Sequence, residues 1–206
     1  MLTRAYPKQA TLKNGRQVVI RPLNEDDFDG LYGFFRALPE DDRLFLRNDV
    51  TDPELIRKWV ENIDLEHVIP LIALEGDKVV ADGTLHWARH GWTMHVGQIR
   101  MVTARTHRGI GLGTLMAREL VALAEERGLE KLHVDVIEDN VGSVRMCERV
   151  GFKLEAVLKD MVKDQKGTKR NLAIMVSEVT DLGRIMEDWI QDAMVPAFRV
   201  PDDGVA

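Results

Sequence analysis

The sequence predicts an α/β chain folding as one domain, with strands and helices interleaved around a core. Three observations carry this. Short runs in which apolar residues alternate are interspersed with longer runs in which they recur every three or four positions. One strand-like run, 92–103, leads through a glycine-rich turn straight into the longest apolar stripe of the chain. The 206 residues, with 45% hydrophobic and 30% charged side chains, suit one soluble domain with its own core.

Each element has a local reason. Asn14-Gly15, a strong hairpin dipeptide, turns the chain into a first strand over 17–21, which Pro22 ends. Asn24 is a good N-cap with Asp26 and Asp27 in the first turn. Phe28, Leu31, Tyr32, Phe35 and Leu38 then follow at helical spacing until Pro39. Asp52-Pro53, a cap and a proline at the first helical position, starts a second helix carrying Leu55, Ile56, Trp59, Val60 and Ile63. Strands are expected over 69–74, 79–87 and 92–103, turned by Gly76-Asp77 and His90-Gly91. Leu112, Leu115, Met116, Leu120, Leu123 and Ala124 mark one buried helix face, and Gly128 stops it. Leu132, Val134 and Val136 alternate in a further strand. Asn140 caps a short helix closed by Gly151, and 152–162 with 170–179 form a hairpin across Gln165-Lys166-Gly167. Asp181 begins a last helix with Leu182, Ile185, Met186 and Trp189, and the tail from Pro196 is expected to be loose.

The glycine turn carries the chemistry. Arg108-Gly109-Ile110-Gly111-Leu112-Gly113 packs three glycines into five positions ahead of a helix. Glycine accepts positive φ and lets a ligand approach the backbone, so several N–H groups can converge at a helix N-terminus that favours an anion. A Walker-type loop would end in Gly-Lys-Ser/Thr, but Gly113 is followed by Thr114 and Leu115. A dinucleotide fingerprint would read G-x-G-x-x-G, whereas the spacing here is G-x-G-x-G in mid-chain. The pattern Arg/Gln-x-x-Gly-x-Gly/Ala matches Arg108, Gly111 and Gly113 position for position. Further on, Asn140-Val141-Gly142-Ser143 leads to Glu148-Arg149-Val150-Gly151-Phe152.

These two spaced signatures resemble those of the GCN5-related N-acetyltransferases (GNAT), over about 17–179 of the chain. The resemblance implies the single-domain acyl-CoA N-acyltransferase fold: a mixed central sheet flanked by helices, with splayed central strands. The GNAT domain is expected over 17–179, and a C-terminal helix and tail over 180–206. It also implies acetyl-CoA as acyl donor. The pyrophosphate would lie on Arg108, Gly109, Ile110, Gly111, Leu112, Gly113 and Thr114, and the pantetheine along Met101, Val102 and Thr103. Asn140 and Ser143, from the second signature, would complete the coenzyme site. The N-terminal part is loosely similar to the acetyltransferase domains of bacterial protein-lysine acetyltransferases, through Arg21-Pro22-Leu23, Phe34-Phe35-Arg36-Ala37-Leu38, Asp42-Arg43 and Phe45.

Two catalytic positions depart from the family pattern. Many relatives carry a glutamate five residues before Thr103. Gln98 stands there, and an amide can orient an amine or water but takes no proton at neutral pH. His95, His86, Asp82 and Glu138 are the other base candidates. His95 lies an even step from Met101 and so on the same face of a regular strand. Relatives often place a tyrosine seven residues after the signature asparagine. Cys147 stands there, one helical turn after Ser143, as an acid for the leaving thiolate or as a small core residue. Asp135, Glu138 and Asp139 are either amine-recognising or a solvated loop.

Composition bounds the rest. No apolar run approaches the roughly 20 residues that span a bilayer, and 1–16 lacks an apolar signal-peptide stretch. One cysteine forms no internal disulfide, so the cytoplasm is the expected compartment. A net charge of -6 argues against a nucleic-acid surface. His86, His90 and His95 lack carboxylate or thiolate partners at ligand spacing, so no metal is expected. The expected partners are acetyl-CoA and an amine acceptor, small molecule or protein lysine, with a homodimer as an option and no membrane. The rival reading is a non-catalytic coenzyme A-binding sensor or interaction module.

Overall fold

The computed structural model describes the backbone of residues 4–191 and 198–199 and the side chains of 4–185. Strands β1 (Lys8–Thr11) and β2 (Gln17–Pro22) form the predicted hairpin, with Gly15 at φ 86°. Asn24 caps a 3-10 turn, with Asp27 returning a side-chain bond to its backbone, and the chain runs on into α1 (Phe28–Ala37). A short α2 (Glu40–Arg43) has no counterpart in the periodicity, and α3 (Pro53–Glu61) starts on its Asp52 cap. Then come β3 (Val68–Glu75), β4 (Lys78–Trp87), β5 (Val96–Thr103), α4 (Leu112–Glu126) and β6 (Lys131–Ile137). The chain continues through α5 (Val141–Arg149), β7 (Lys153–Lys163), β8 (Lys169–Glu178), α6 (Val179–Gln191) and β9 (Phe198–Arg199). Among the described residues no helix is long and apolar enough to cross a membrane.

The strands form one nine-stranded sheet in the order β7-β8-β6-β5-β4-β3-β2-β1-β9. Every pairing is antiparallel except β5 with β6, so the sheet is mixed. One face is covered by α4, whose Leu112, Leu115, Met116, Leu120 and Leu123 are fully buried. Burying each such side chain is worth roughly 1.5–3 kcal/mol, enough to clamp the helix across β4 and β5. The other face is covered by α1 and α3, whose Leu31, Phe34, Phe35, Ile56 and Val60 form a second core against Ile72 and Val79. A buried ion pair, Lys8 Nζ to Glu119 at 2.6 Å, ties β1 to α4.

Strands β5 and β6 part company after three residues. They pair at Val96–Lys131, Gly97–Leu132 and Gln98–His133, and no further. Beyond that point β5 stays with β4 as far as Ala81–Thr103, while β6 stays with β8 as far as Ile137–Leu172. The splay is therefore built by each strand's loyalty to its outer neighbour. At the closed end, Gly97 lets the strands meet: a Cβ there would lie 2.8 Å from both Leu129 and Leu132 side chains.

Two expectations differ from the structure. Residues 92–95 form a turn, with Val96 N–H bonded to Thr93 O, because β4 ends at Trp87 opposite Gly97 and offers them no neighbour; on the β6 side only His95 O is used, accepting from Glu130 and Lys131 N–H. Trp92 at its tip is 94% exposed. Phe198 and Arg199, read as loose tail, pair with Ala10 and Gln9 of β1. The rest of that tail and the side chains of Met186 and Trp189 lie outside the described residues.

Candidate active site

The opening between β5 and β6 is the centre of the site. Just past β5, Ala104 N–H donates to Val80 O at 2.9 Å. Strand backbone directions alternate, so Met101 and Thr103 turn their N–H and C=O groups the other way, to the opening. Val102 turns its backbone toward β4 and packs its side chain on the α1 core, away from the opening.

At the top of the opening the chain makes a 3-10 turn (Arg105–His107) and enters the glycine loop. Gly109 and Gly111 have φ 74° and 98°, and Gly111 is the left-handed N-cap of α4. No side chain caps this helix, and its first bond beyond the loop is Leu115 N–H to Gly111 O at 3.0 Å. Among the described residues, the N–H groups of Gly109, Ile110 and Gly111 donate to no other backbone group. Unspent amides at a positive helix end form an anion cradle. A side chain at Gly113 would stand 3.9 Å from Met101 Cε and Thr103 Oγ1, so the loop folds back onto the opening edge of β5. Leu112 is fully buried and anchors the helix, while Ile110 packs on the main core. Thr114 is partly exposed in the first turn of α4.

Arg108 is less free than its motif suggests. Its Nη1 and Nη2 donate to the two oxygens of Asp42 at 3.2 and 3.0 Å, and its Nε donates to Thr103 O at 3.1 Å. Arg105 bonds the same carboxylate at 2.9 and 3.1 Å. Burial alone would raise Asp42, but the two guanidiniums outweigh it and hold the carboxyl below its ordinary range. Here, then, Arg108 joins the α2 segment to the loop and occupies one of the carbonyls that face the opening.

Across the opening, β6 delivers α5. Asn140 Oδ1 accepts from Ser143 N–H at 3.2 Å, so this part of the second signature serves as the helix cap. Ser143 is partly buried, and Cys147, one turn on, is only 3% exposed within the main core. Burial, with Glu148 adding to it, pushes the Cys147 thiol up to about 11. A thiol so reluctant to ionise is a weak acid for a thiolate leaving group. Cys147→Ala is expected to cost about 1 kcal/mol of stability, read as a lower melting temperature, with acetyl transfer near wild type. A hundredfold fall in kcat would instead mark it as the acid.

At the closed end, Gln98 belongs to a polar network on the α1 face. Its Nε2 donates to Asp135 Oδ2 at 2.8 Å, and its Oε1 accepts from Arg100 Nε and Nη2 at 2.9 and 2.7 Å. Asp135 also takes Arg47 at 2.6 Å and His133 at 3.0 Å, which hold its carboxyl below the ordinary range against the effect of burial. A cleft of about 430 Å³ opens beside Gln98, with His86, Trp87, Thr93 and His133 in its wall. His86 bonds Thr84 Oγ1 at 2.8 Å; burial, then Arg100 and Arg47, push its ring down to about 4, so it is neutral at pH 7. His95 is exposed in the turn before β5, at the end of the strand remote from the glycine loop, and does not share a strand face with Met101. Glu138 holds Asn171 at 2.9 Å and Asp139 holds Arg170 at 2.8 Å, both on the surface. Among the described residues no three His, Cys, Asp or Glu side chains are grouped to hold a metal ion.

One acid stands apart. Asp82 on β4 faces α1, between Ile72 of β3 and Val102 of β5. Among the described residues it has no hydrogen-bond or ion-pair partner; the residue keeps some surface exposure, yet desolvation by the packing around it pushes its carboxyl up to about 7. Sequence reasoning weighed Asp82 without a means to prefer it, and passed over Arg100 and Arg47. The one available signal was a lone acid in a strand otherwise free of charge, Val79 to Leu85.

Comparisons with known proteins agree with this architecture. The Acetyltransferase (GNAT) domain profile matches residues 17–153. The Uncharacterized N-acetyltransferase YobR of Bacillus subtilis (strain 168) is 34% identical over 56 residues, spanning 27% of this chain and 23% of that protein. Among solved structures, Mycobacterium smegmatis RimJ in complex with CoA-disulfide is 16% identical with a TM-score of 0.72, covering 90% of this chain and 93% of that one. The GNAT domain of S. lividans PAT is 15% identical with a TM-score of 0.70, over 84% and 99% of the two chains. Ribosomal-protein-alanine N-acetyltransferase from Brucella melitensis is 23% identical with a TM-score of 0.66, over 77% and 98%. These structural likenesses are likenesses of fold, whereas the profile runs through more than half of the chain and takes in the splayed strands and both signatures: the protein belongs to the GNAT family of acetyltransferases.

Proposed function

We propose that this protein transfers the acetyl group of acetyl-CoA to a primary amine by direct attack, with both substrates bound together. The observation that carries the reading is the splay of β5 from β6, ending at the uncapped glycine cradle of α4. The amides of the 109–113 loop would hold the pyrophosphate, and the Met101 and Thr103 edge would pair the pantetheine. Met101 N–H is the donor for the thioester carbonyl oxygen, since a preorganised backbone donor stabilises charge that develops there. Acetyl-CoA supplies an activated acyl group on a tolerable leaving thiolate. Arg108 would pass from Asp42 to the phosphates, releasing Thr103 O to the pantetheine.

The amine arrives as an ammonium and must lose a proton. Gln98 is committed to Asp135 and Arg100 and serves to orient. Asp82 is the base we assign: burial gives it a basicity suited to neutral pH, where an ordinary carboxylate is too weak. It lies one strand in from the opening, so one water carries the proton. The reading is tested by calorimetry with coenzyme A and by mass spectrometry of an amine panel incubated with acetyl-CoA. Micromolar binding and at least one acetylated amine are expected. Absence of coenzyme A binding would overturn it.

A further inference from the structure

We propose that Arg100, backed by Arg47, binds a carboxylate on the acceptor, so that the acetylated amine belongs to an amino-carboxylate. This rests on the acetyl-transfer reading and deepens it.

Arg100 is partly buried on β5, directly across from Thr84 and one step along the α1 face from Gln98. Its only hydrogen-bond partner among the described residues is neutral: Nε and Nη2 both donate to the single Gln98 amide oxygen, while Asp135 favours its charge without forming a salt bridge to it. Several other guanidiniums of the chain are matched with carboxylates, whereas the partly buried Arg43 and Arg127 bond backbone carbonyls. Arg21 forks onto both oxygens of Asp27 at 2.6 and 2.7 Å, and Arg105 and Arg108 fork onto Asp42. A partly desolvated guanidinium without a salt-bridged anion is costly, and an arriving carboxylate relieves that cost. Burial and the neighbouring Arg47 work against the Arg100 charge and outweigh the support of Asp135.

The nearest acid is already spent. Asp135 is engaged by Arg47, Gln98 and His133, so two guanidiniums share one carboxylate. Arg100, Arg47 and Asp135 together carry an excess of one positive charge while the neighbouring Asp82 is protonated, which one monoanionic carboxylate balances and a dianionic phosphate overshoots. The local sign is also opposite to the chain's net charge of -6, so the patch is not a by-product of overall composition. The cleft beside Gln98 and His86 gives an acceptor room to reach the network from outside.

The test compares acetylation of a panel of free amino acids with that of their carboxamides, which lack the charge, with kcat/KM expressed per unprotonated amine because the carboxamide amine is the weaker base. Wild-type kcat/KM is expected to favour the acids about ten- to a hundredfold, the range of a charged hydrogen bond. Arg100→Gln should collapse that ratio toward one, and Arg100→Lys should keep part of it. The ratio is internal to each variant, so partial misfolding does not affect it. Carboxamides turned over as well as acids, or a ratio that survives Arg100→Gln, would overturn the proposal. Should no panel member react, succinate and inorganic phosphate are titrated into the protein with and without coenzyme A. Succinate binding that Arg100→Gln abolishes supports the site; no binding, or phosphate binding more tightly, overturns it. Loss of coenzyme A binding alone would sink the acetyl-transfer reading and leave the succinate result standing.

Discussion

Gly111→Val is expected to abolish coenzyme A binding. Gly111 holds φ 98° as the N-cap of α4, a region closed to a β-branched residue. Valine would force the loop into another conformation and scatter the amides that now converge. Its side chain would also fill the space where the pyrophosphate approaches the backbone. The helix itself should survive, since its buried face begins at Leu112 and Leu115 and carries the packing energy. Calorimetry reads the affinity, and circular dichroism checks the fold. Arg108→Ala should weaken binding by about tenfold or less, because the backbone donors remain and the exposed ion pair with Asp42 is worth little. Unchanged affinity in the valine variant would remove the loop from the coenzyme site.

Asp82→Asn is expected to lower kcat by about 10²–10⁴-fold while coenzyme A affinity stays near wild type. The wild-type rate should rise with pH through about 7 and then level, following ionisation of this carboxyl. The effect on stability has the opposite sense. The folded-state carboxyl titrates near 7 and the unfolded one near 3.8, so the folded chain binds more protons between those values. The stabilisation from the neutral acid is therefore complete below the lower value and is lost as pH rises through the higher one. Asparagine stays neutral throughout, so Asp82→Asn should melt above wild type at pH 8 even as it loses activity. A residue that was only structural would not lose rate and gain stability together. Full activity in the asparagine variant would return the base role to water or to another group.

Much of this was written locally. Helical spacing and the Asn24, Asp52 and Asn140 caps marked α1, α3 and α5, since caps and periodicity act within one turn. The stripe from Leu112 to Ala124 marked α4, and the glycines ahead of it marked the cradle, because positive φ is a property of single residues. Tertiary structure decided what depends on partners. Residues 92–95 have strand-compatible side chains but no strand to pair with, while Phe198 and Arg199 pair because β1 offers an edge. Arg108 finds Asp42 across 66 positions, Gln98 finds Asp135 across 37, and Arg47 reaches the same Asp135 across 88. Only that convergence distinguishes Arg100 from a surface arginine. The basicity of Asp82 likewise comes from the apolar strands on either side of it, Ile72 and Val102, since desolvation belongs to the packed neighbourhood and not to the residue.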